Sequence, residues 1–211
     1  MTSLGKTEIK AIFGELKIIM VNNRDNLIEL DSVMGDGDLG LTMEKSFTAA
    51  YETAQAGTDT DLGKFLIRIG MAMAKAAPST MGTLMATGFM KGGKAVSGKE
   101  SFTINDIAKF FRAFSNGIMA AGKTKPGNKT IIDVLDPAAT ALEKAANDNM
   151  LIEQGLNNAY KAALKGVKDS KPMKAQHGRA AYYQEKSIGV QDPGATAGAL
   201  LLKGFYNAVG N

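Results

Sequence analysis

The chain has 211 residues, enough to bury a sizeable core without covalent staples. It has no Cys, no Trp and one His, His177, which excludes a disulfide framework, a thiolate zinc site, a thiol nucleophile and a multi-histidine metal centre. Its 25 Lys and Arg against 21 Asp and Glu leave a net charge of +4, but Lys is scattered and aromatics are only 7%, so the clustered basic surface of a nucleic-acid binder is not expected.

No apolar run of about 18 residues exists, so no membrane span is expected. The N-terminus mixes Lys with Glu and lacks the apolar stretch of a secretion signal. A cytoplasmic location fits.

Alanine is abundant at 30 residues and Val scarce at seven, a balance that favours helix over strand. Apolar residues recur at three- and four-residue steps through Ile9, Ile12, Phe13, Leu16, Ile19 and Met20. The same stripe returns at Leu62, Phe65, Leu66, Ile69 and Met73, at Ile107, Phe110, Phe111, Phe114 and Ile118, and at Leu151, Leu156, Tyr160 and Leu164. These stripes read as core, and the 12 Met residues as adaptable core filler. Gly and Pro clusters separate the stripes. About eight helices are expected, over 4–30, 40–55, 61–76, 79–91, 104–121, 130–147, 150–166 and 194–208, with a short helix plus loop over 173–190. Short connections imply antiparallel neighbours in one all-α domain spanning 1–211.

The strongest local signal is Asp31-Ser32-Val33-Met34-Gly35-Asp36-Gly37-Asp38. Alternate residues of an extended segment share a face, so Asp36 and Asp38 can point together, and Gly35 and Gly37 allow the bend that brings Asp31 to them. Three gathered carboxylates call for a cation, and Mg²⁺ prefers oxygen ligands shared with phosphate. A solvated Asx-turn that caps the next helix fits the spacing equally well.

Gly117 to Thr124 matches the G-x4-G-K-T phosphate-loop pattern, which requires a strand before it and a helix opening at Lys-Thr. Here a helical stretch precedes it and Pro126-Gly127 follows, so Gly122 reads as an ordinary helix terminator. Pro78-Ser79-Thr80 and Asp192-Pro193-Gly194 open helices with free N–H groups, which suits either anion binding or plain capping. Arg179 fits a phosphate clamp or a structural ion pair. His177 fits a phosphate carrier less well than a structural role.

Taken in order, certain segments resemble the nucleotide-binding L subunit of dihydroxyacetone kinases. They are Gly35-Asp36-Gly37-Asp38-Leu39-Gly40, Met81-Gly82-Thr83, the run from Gly122 to Asp133, and the run from His177 through Gln191-Asp192-Pro193-Gly194-Ala195. The resemblance spans nearly the whole chain. It implies a barrel of eight antiparallel helices with ADP or ATP at one end. It implies that Asp31, Asp36 and Asp38 hold two Mg²⁺ ions, and that Leu39, Gly40, Leu41 and Thr42 open a helix against the phosphates. Pro78, Ser79, Thr80, Gly122, Ile131, Arg179, Asp192, Pro193 and Gly194 match further positions of the nucleotide pocket. Two positions depart from the pattern. Leu39 stands where His is common, and Ala76 to Thr80 is poorer in Gly and Ser than the usual loop.

The implied activity is phosphoryl transfer to an alcohol group of dihydroxyacetone or a related ketose. A partner K subunit holds that substrate as a hemiaminal on its own histidine. The phosphoryl donor is either ATP or a phosphohistidine protein of the sugar phosphotransferase system that recharges bound ADP. No catalytic base is assigned in this chain, since positioning and charge neutralisation dominate the chemistry. The competing reading is a non-catalytic regulatory module of the same fold, against which the intact aspartate trio argues.

Overall fold

The structure, a computed structural model, describes residues 1–210. Asn211, the last residue of the expected domain, lies outside them. Among the described residues nine α-helices follow in chain order: α1 (Lys6–Asn22), α2 (Arg24–Ser32), α3 (Leu39–Ala56), α4 (Leu62–Ala76), α5 (Thr80–Ala95), α6 (Ile104–Gly122), α7 (Ile132–Asn147), α8 (Ile152–Ser170) and α9 (Pro193–Gly210). A 3-10 segment covers Arg179–Ser187 between α8 and α9. Among the described residues extended pairing is limited to one bridge, Leu4 with Phe102.

Eight of the helices close into a ring. Each of α3 to α8 packs on the next, α8 packs on α9, α9 on α1, and α1 on α3. An even number of antiparallel neighbours lets the alternation of direction close on itself. α2 lies outside the ring against α3, with lesser contact to α9 and α1. The all-α expectation is met, but one of its helices divides. The stretch 4–30 breaks at Asn23, whose side chain donates to the Ile19 carbonyl at 2.8 Å and ends α1. Helices α5 and α8 run four residues past their expected ends, to Ala95 and Ser170.

The ring is filled by most of the stripes read from the sequence, but Leu151 and Leu164, read as core, are 41% and 42% exposed, and Met71 is 59% exposed rather than core filler. Phe89 on α5 lies at its centre, with ring centroids 5.4 Å from Phe13, 6.2 Å from Phe47, 6.0 Å from Phe110 and 5.1 Å from Phe114. All five rings are buried, and such tilted and edge-on pairs add to the gain from burial itself. Close helix crossings rest on missing side chains. A Cβ on Gly63 of α4 would stand 2.6 Å from the Gly93 carbonyl of α5, and one on Gly93 would stand 2.6 Å from the Gly63 carbonyl.

Alternation has one consequence for function. Every second helix of the ring starts at the same end, so α3, α5, α7 and α9 present their N-termini together around one cavity.

Candidate functional site

The cavity at this end has a volume of about 440 Å³. Four of its walls are helix starts or the turns that lead to them, and the C-terminal end of α6 and residues 177–180 complete it.

The acidic wall is the turn between α2 and α3. Asp31 is the penultimate residue of α2, and its Oδ2 accepts the backbone N–H of Asp38 at 3.0 Å and of Leu39 at 3.3 Å. α3 is thus capped by a carboxylate from the preceding helix, and the side chain of its own N-cap, Asp38, stays uncommitted. Two glycines make the turn possible. A Cβ on Gly35 would stand 2.2 Å from the Asp31 carboxylate, and Gly37 has φ +71°, in the left-handed region. One oxygen from each of Asp31, Asp36 and Asp38 lies within 4.8 Å of the others. Burial, then the charges of Asp36 and Asp31, push the Asp38 carboxyl up, while Arg179 pulls it back. Arg179 reaches across from the 3-10 segment and pairs with Asp36 at 2.7 Å.

The second wall is the start of α5. Ser79 Oγ accepts the Gly82 N–H at 3.1 Å and the Thr42 hydroxyl at 3.2 Å, so it caps α5 and ties it to α3. The third wall is the start of α7. Asp133, buried in its first turn, accepts the N–H of Gly127 at 2.6 Å and of Thr130 at 2.7 Å, which wraps residues 127–130 around its carboxylate. The fourth is the start of α9, where Asp192 Oδ2 accepts the Ala195 N–H at 2.6 Å. Burial pushes the Asp192 carboxyl up to about 7. The Ala195 bond and Lys129 oppose this shift, and Asp133 and Asp31 add to it. Leu84, Ile118, Met81 and Ile131 give the cavity an apolar side.

Asp31, Asp36, Asp38, Leu39, Ser79, Thr80, Gly122, Ile131, Arg179, Asp192, Pro193 and Gly194 all line the cavity. Gly40, Leu41, Thr42 and Pro78 do not. Gly40 packs its backbone on α2, Leu41 points to solvent, and Thr42 stands behind Ser79. Sequence reasoning passed over Met34, Lys129, Thr130 and Gln191, which also line it, and His177 lines it beside Arg179. His177 Nε2 is 3.3 Å from Asn128 Oδ1. The one local signal for Lys129 was its place in the segment from Gly122 to Asp133. The phosphate-loop pattern at 117–124 lies inside and at the end of α6, with Lys123 exposed in a left-handed cap, so its N–H groups open no helix.

A hard cation suits this donor set. All three ligand candidates are carboxylates, they converge, and their mutual charge is countered only in part by Arg179. The starts of α3, α5, α7 and α9 supply N–H groups and positive dipole ends for anionic oxygens. The volume falls within the range of small-molecule and cofactor sites.

Comparison with known proteins agrees with this geometry. The DAK2 domain model matches residues 33–207. The ADP-binding subunit DhaL of the PEP-dependent dihydroxyacetone kinase of Escherichia coli is 32% identical over 195 residues, covering 92% of this chain and 93% of that subunit. An L-erythrulose kinase of Pectobacterium atrosepticum is 29% identical over 200 residues, covering 92% of this chain and 33% of that enzyme. The crystal structure of the dihydroxyacetone kinase of C. freundii with AMP-PNP and Mg²⁺ superposes with a TM-score of 0.68 at 23% identity, over 94% of this chain and 33% of that one, a likeness of fold. The chain belongs to the DAK2 domain family and is a homologue of the ADP-binding subunit of dihydroxyacetone kinase.

Proposed function

We propose that the chain, as one domain over 1–211, is the nucleotide-binding subunit of a ketose kinase. It holds Mg²⁺ and ADP or ATP in the cavity and passes a phosphoryl group to a ketose carried by a partner K subunit. The convergence of three carboxylates at the rim of a cup of helix N-termini carries this reading. Bound Mg²⁺ would neutralise charge on the phosphate oxygens. Asp31, Asp36 and Asp38 would ligate it, with Asp31 also fixing the start of α3. The N–H groups at the starts of α3, α5 and α9 would face the phosphates, and Arg179 would add a guanidinium at the rim. The apolar side formed by Leu84, Ile118 and Ile131 suits the base.

The similarity to the E. coli subunit over 93% of its length favours a PEP-dependent donor, with ADP retained and recharged by a phosphohistidine protein. The acceptor is dihydroxyacetone or a close ketose, since an L-erythrulose kinase is also a relative. Native mass spectrometry of the purified protein tests the reading. Retained ADP, followed by transfer to dihydroxyacetone when a K subunit and phosphohistidine protein are supplied, is the expected result. A nucleotide-free protein that supports no transfer from either donor would point to the regulatory module instead.

A further inference from the structure

Lys129 is 4% exposed, although lysine is almost never fully buried without partners. Its Nζ donates to three carbonyl oxygens, those of Lys171 at 2.8 Å and of Ser170 and Met173 at 3.1 Å each. Three acceptors require three N–H donors, which an ammonium has and a neutral amine lacks. Ser170 ends α8, so the charge sits at the negative end of that helix. Lys129 also has φ +58°, a conformation that L-residues seldom adopt. The hydrogen bonds of Asp133 to residues 127 and 130 hold the turn that imposes it.

These carbonyls form the base of a strap over residues 171–189. The Lys171 carbonyl also accepts the Gly189 N–H at 2.8 Å, so both limbs of the strap meet on an atom that Lys129 grips. The preceding residue holds the outgoing limb. The Asn128 carbonyl accepts the Gln176 N–H at 3.2 Å, and its side chain meets His177. Beyond that point the strap turns at Gly178, φ +65°, and sends Arg179 to Asp36. Residues 182–186 are exposed, Tyr182 at 87%, while Ser187 is buried and its Oγ accepts the Ala175 N–H at 2.9 Å.

We propose that Lys129 is a positioning residue, which clamps the base of the 171–189 strap and thereby sets where Arg179 stands relative to the three aspartates. The functional part of this inference rests on the reading of the cavity as a Mg²⁺–nucleotide site.

The test combines hydrogen exchange with a double-mutant cycle. Lys129→Met keeps the apolar stem and removes the donors. In the ligand-free variant, amides of 174–189 should exchange about tenfold faster or more, with α4, α5 and α6 unchanged. Affinity for Mg²⁺–ADP should fall about tenfold, and in an Arg179→Ala background the same change should cost nothing further. Faster exchange spread evenly through α4, α5 and α6 would overturn the proposal, and so would losses from Lys129→Met and Arg179→Ala that simply multiply. If Lys129→Met does not fold, Asn128→Ala, which frees the limb at His177, is read by the same two criteria. If the wild-type protein binds no Mg²⁺–ADP, the reading of the cavity falls, and the exchange pattern alone decides the role of Lys129.

Discussion

Arg179 and Asp36 meet in a 2.7 Å ion pair at the rim of the cavity, joining the strap after α8 to the acidic turn before α3. Their side chains are 65% and 42% exposed, so the pair adds only about 0–1 kcal/mol to stability. Arg179→Ala should therefore move the melting temperature of the ligand-free protein by less than about 4 °C. It should weaken Mg²⁺–ADP binding about tenfold or more, because a guanidinium at phosphate oxygens is charge-assisted and fixed in direction. A thermal melt and a calorimetric titration separate the two effects.

Asp38 stands among like charges in the acidic turn. Burial and the neighbouring carboxylates raise the Asp38 carboxyl in the folded protein, so ionised Asp38 opposes folding at neutral pH. Asp38→Asn should leave the melting temperature in EDTA unchanged or higher, while the stabilisation by millimolar Mg²⁺ with ADP disappears. A melt with and without Mg²⁺–ADP reads both. A large loss of stability in EDTA would show that Asp38 is needed for the fold itself.

Asp192 gives the ligand-free protein a pH dependence of defined sign. Its carboxyl moves from 3.8 to about 7 on folding, chiefly through burial. A raised carboxyl contributes its full stability below about pH 4 and loses it as the pH rises through about 7, a change of up to about 4 kcal/mol. Asp192→Asn keeps an acceptor for the Ala195 N–H but cannot ionise. Denaturant melts in EDTA should show the variant gaining on the wild type from about pH 4 to about pH 7 and levelling off above, with little difference at or below pH 4. A constant difference across that range would contradict this assignment.

Gly40 couples the ring to the proposed metal ligands. A Cβ there would stand 2.1 Å from the Arg24 carbonyl, so α2, which carries Asp31, must move away from α3. Gly40→Ala should cost about 1–3 kcal/mol of stability. It should also reduce Mg²⁺-dependent nucleotide binding well beyond that loss. Urea denaturation paired with titration of the folded variant checks both.

The ring was legible in the sequence because its helices are amphipathic and bounded by Gly and Pro. The division of the first helix was not, since Asn22-Asn23-Arg24 holds neither breaker, and α1 ends on a side-chain hydrogen bond from Asn23 to Ile19. The aspartate trio was legible as a cluster, but spacing could not choose between metal site and capping turn. Asp31 takes part in both geometries, capping α3 with one carboxylate oxygen while standing within reach of Asp36 and Asp38. Lys129 was hidden, because the carbonyls that justify its burial come from the far end of α8. Contacts between segments distant in sequence leave no local pattern.

The central claim is that the acidic turn and the helix starts act together as one Mg²⁺–nucleotide site. Calorimetric titration of ADP into nucleotide-stripped protein, with Mg²⁺ and then with EDTA, tests it most directly. Binding with Mg²⁺ should weaken about a hundredfold or more in EDTA, and Asp36→Asn should bind as weakly even with Mg²⁺ present. Equal ADP affinity in the two buffers would contradict it.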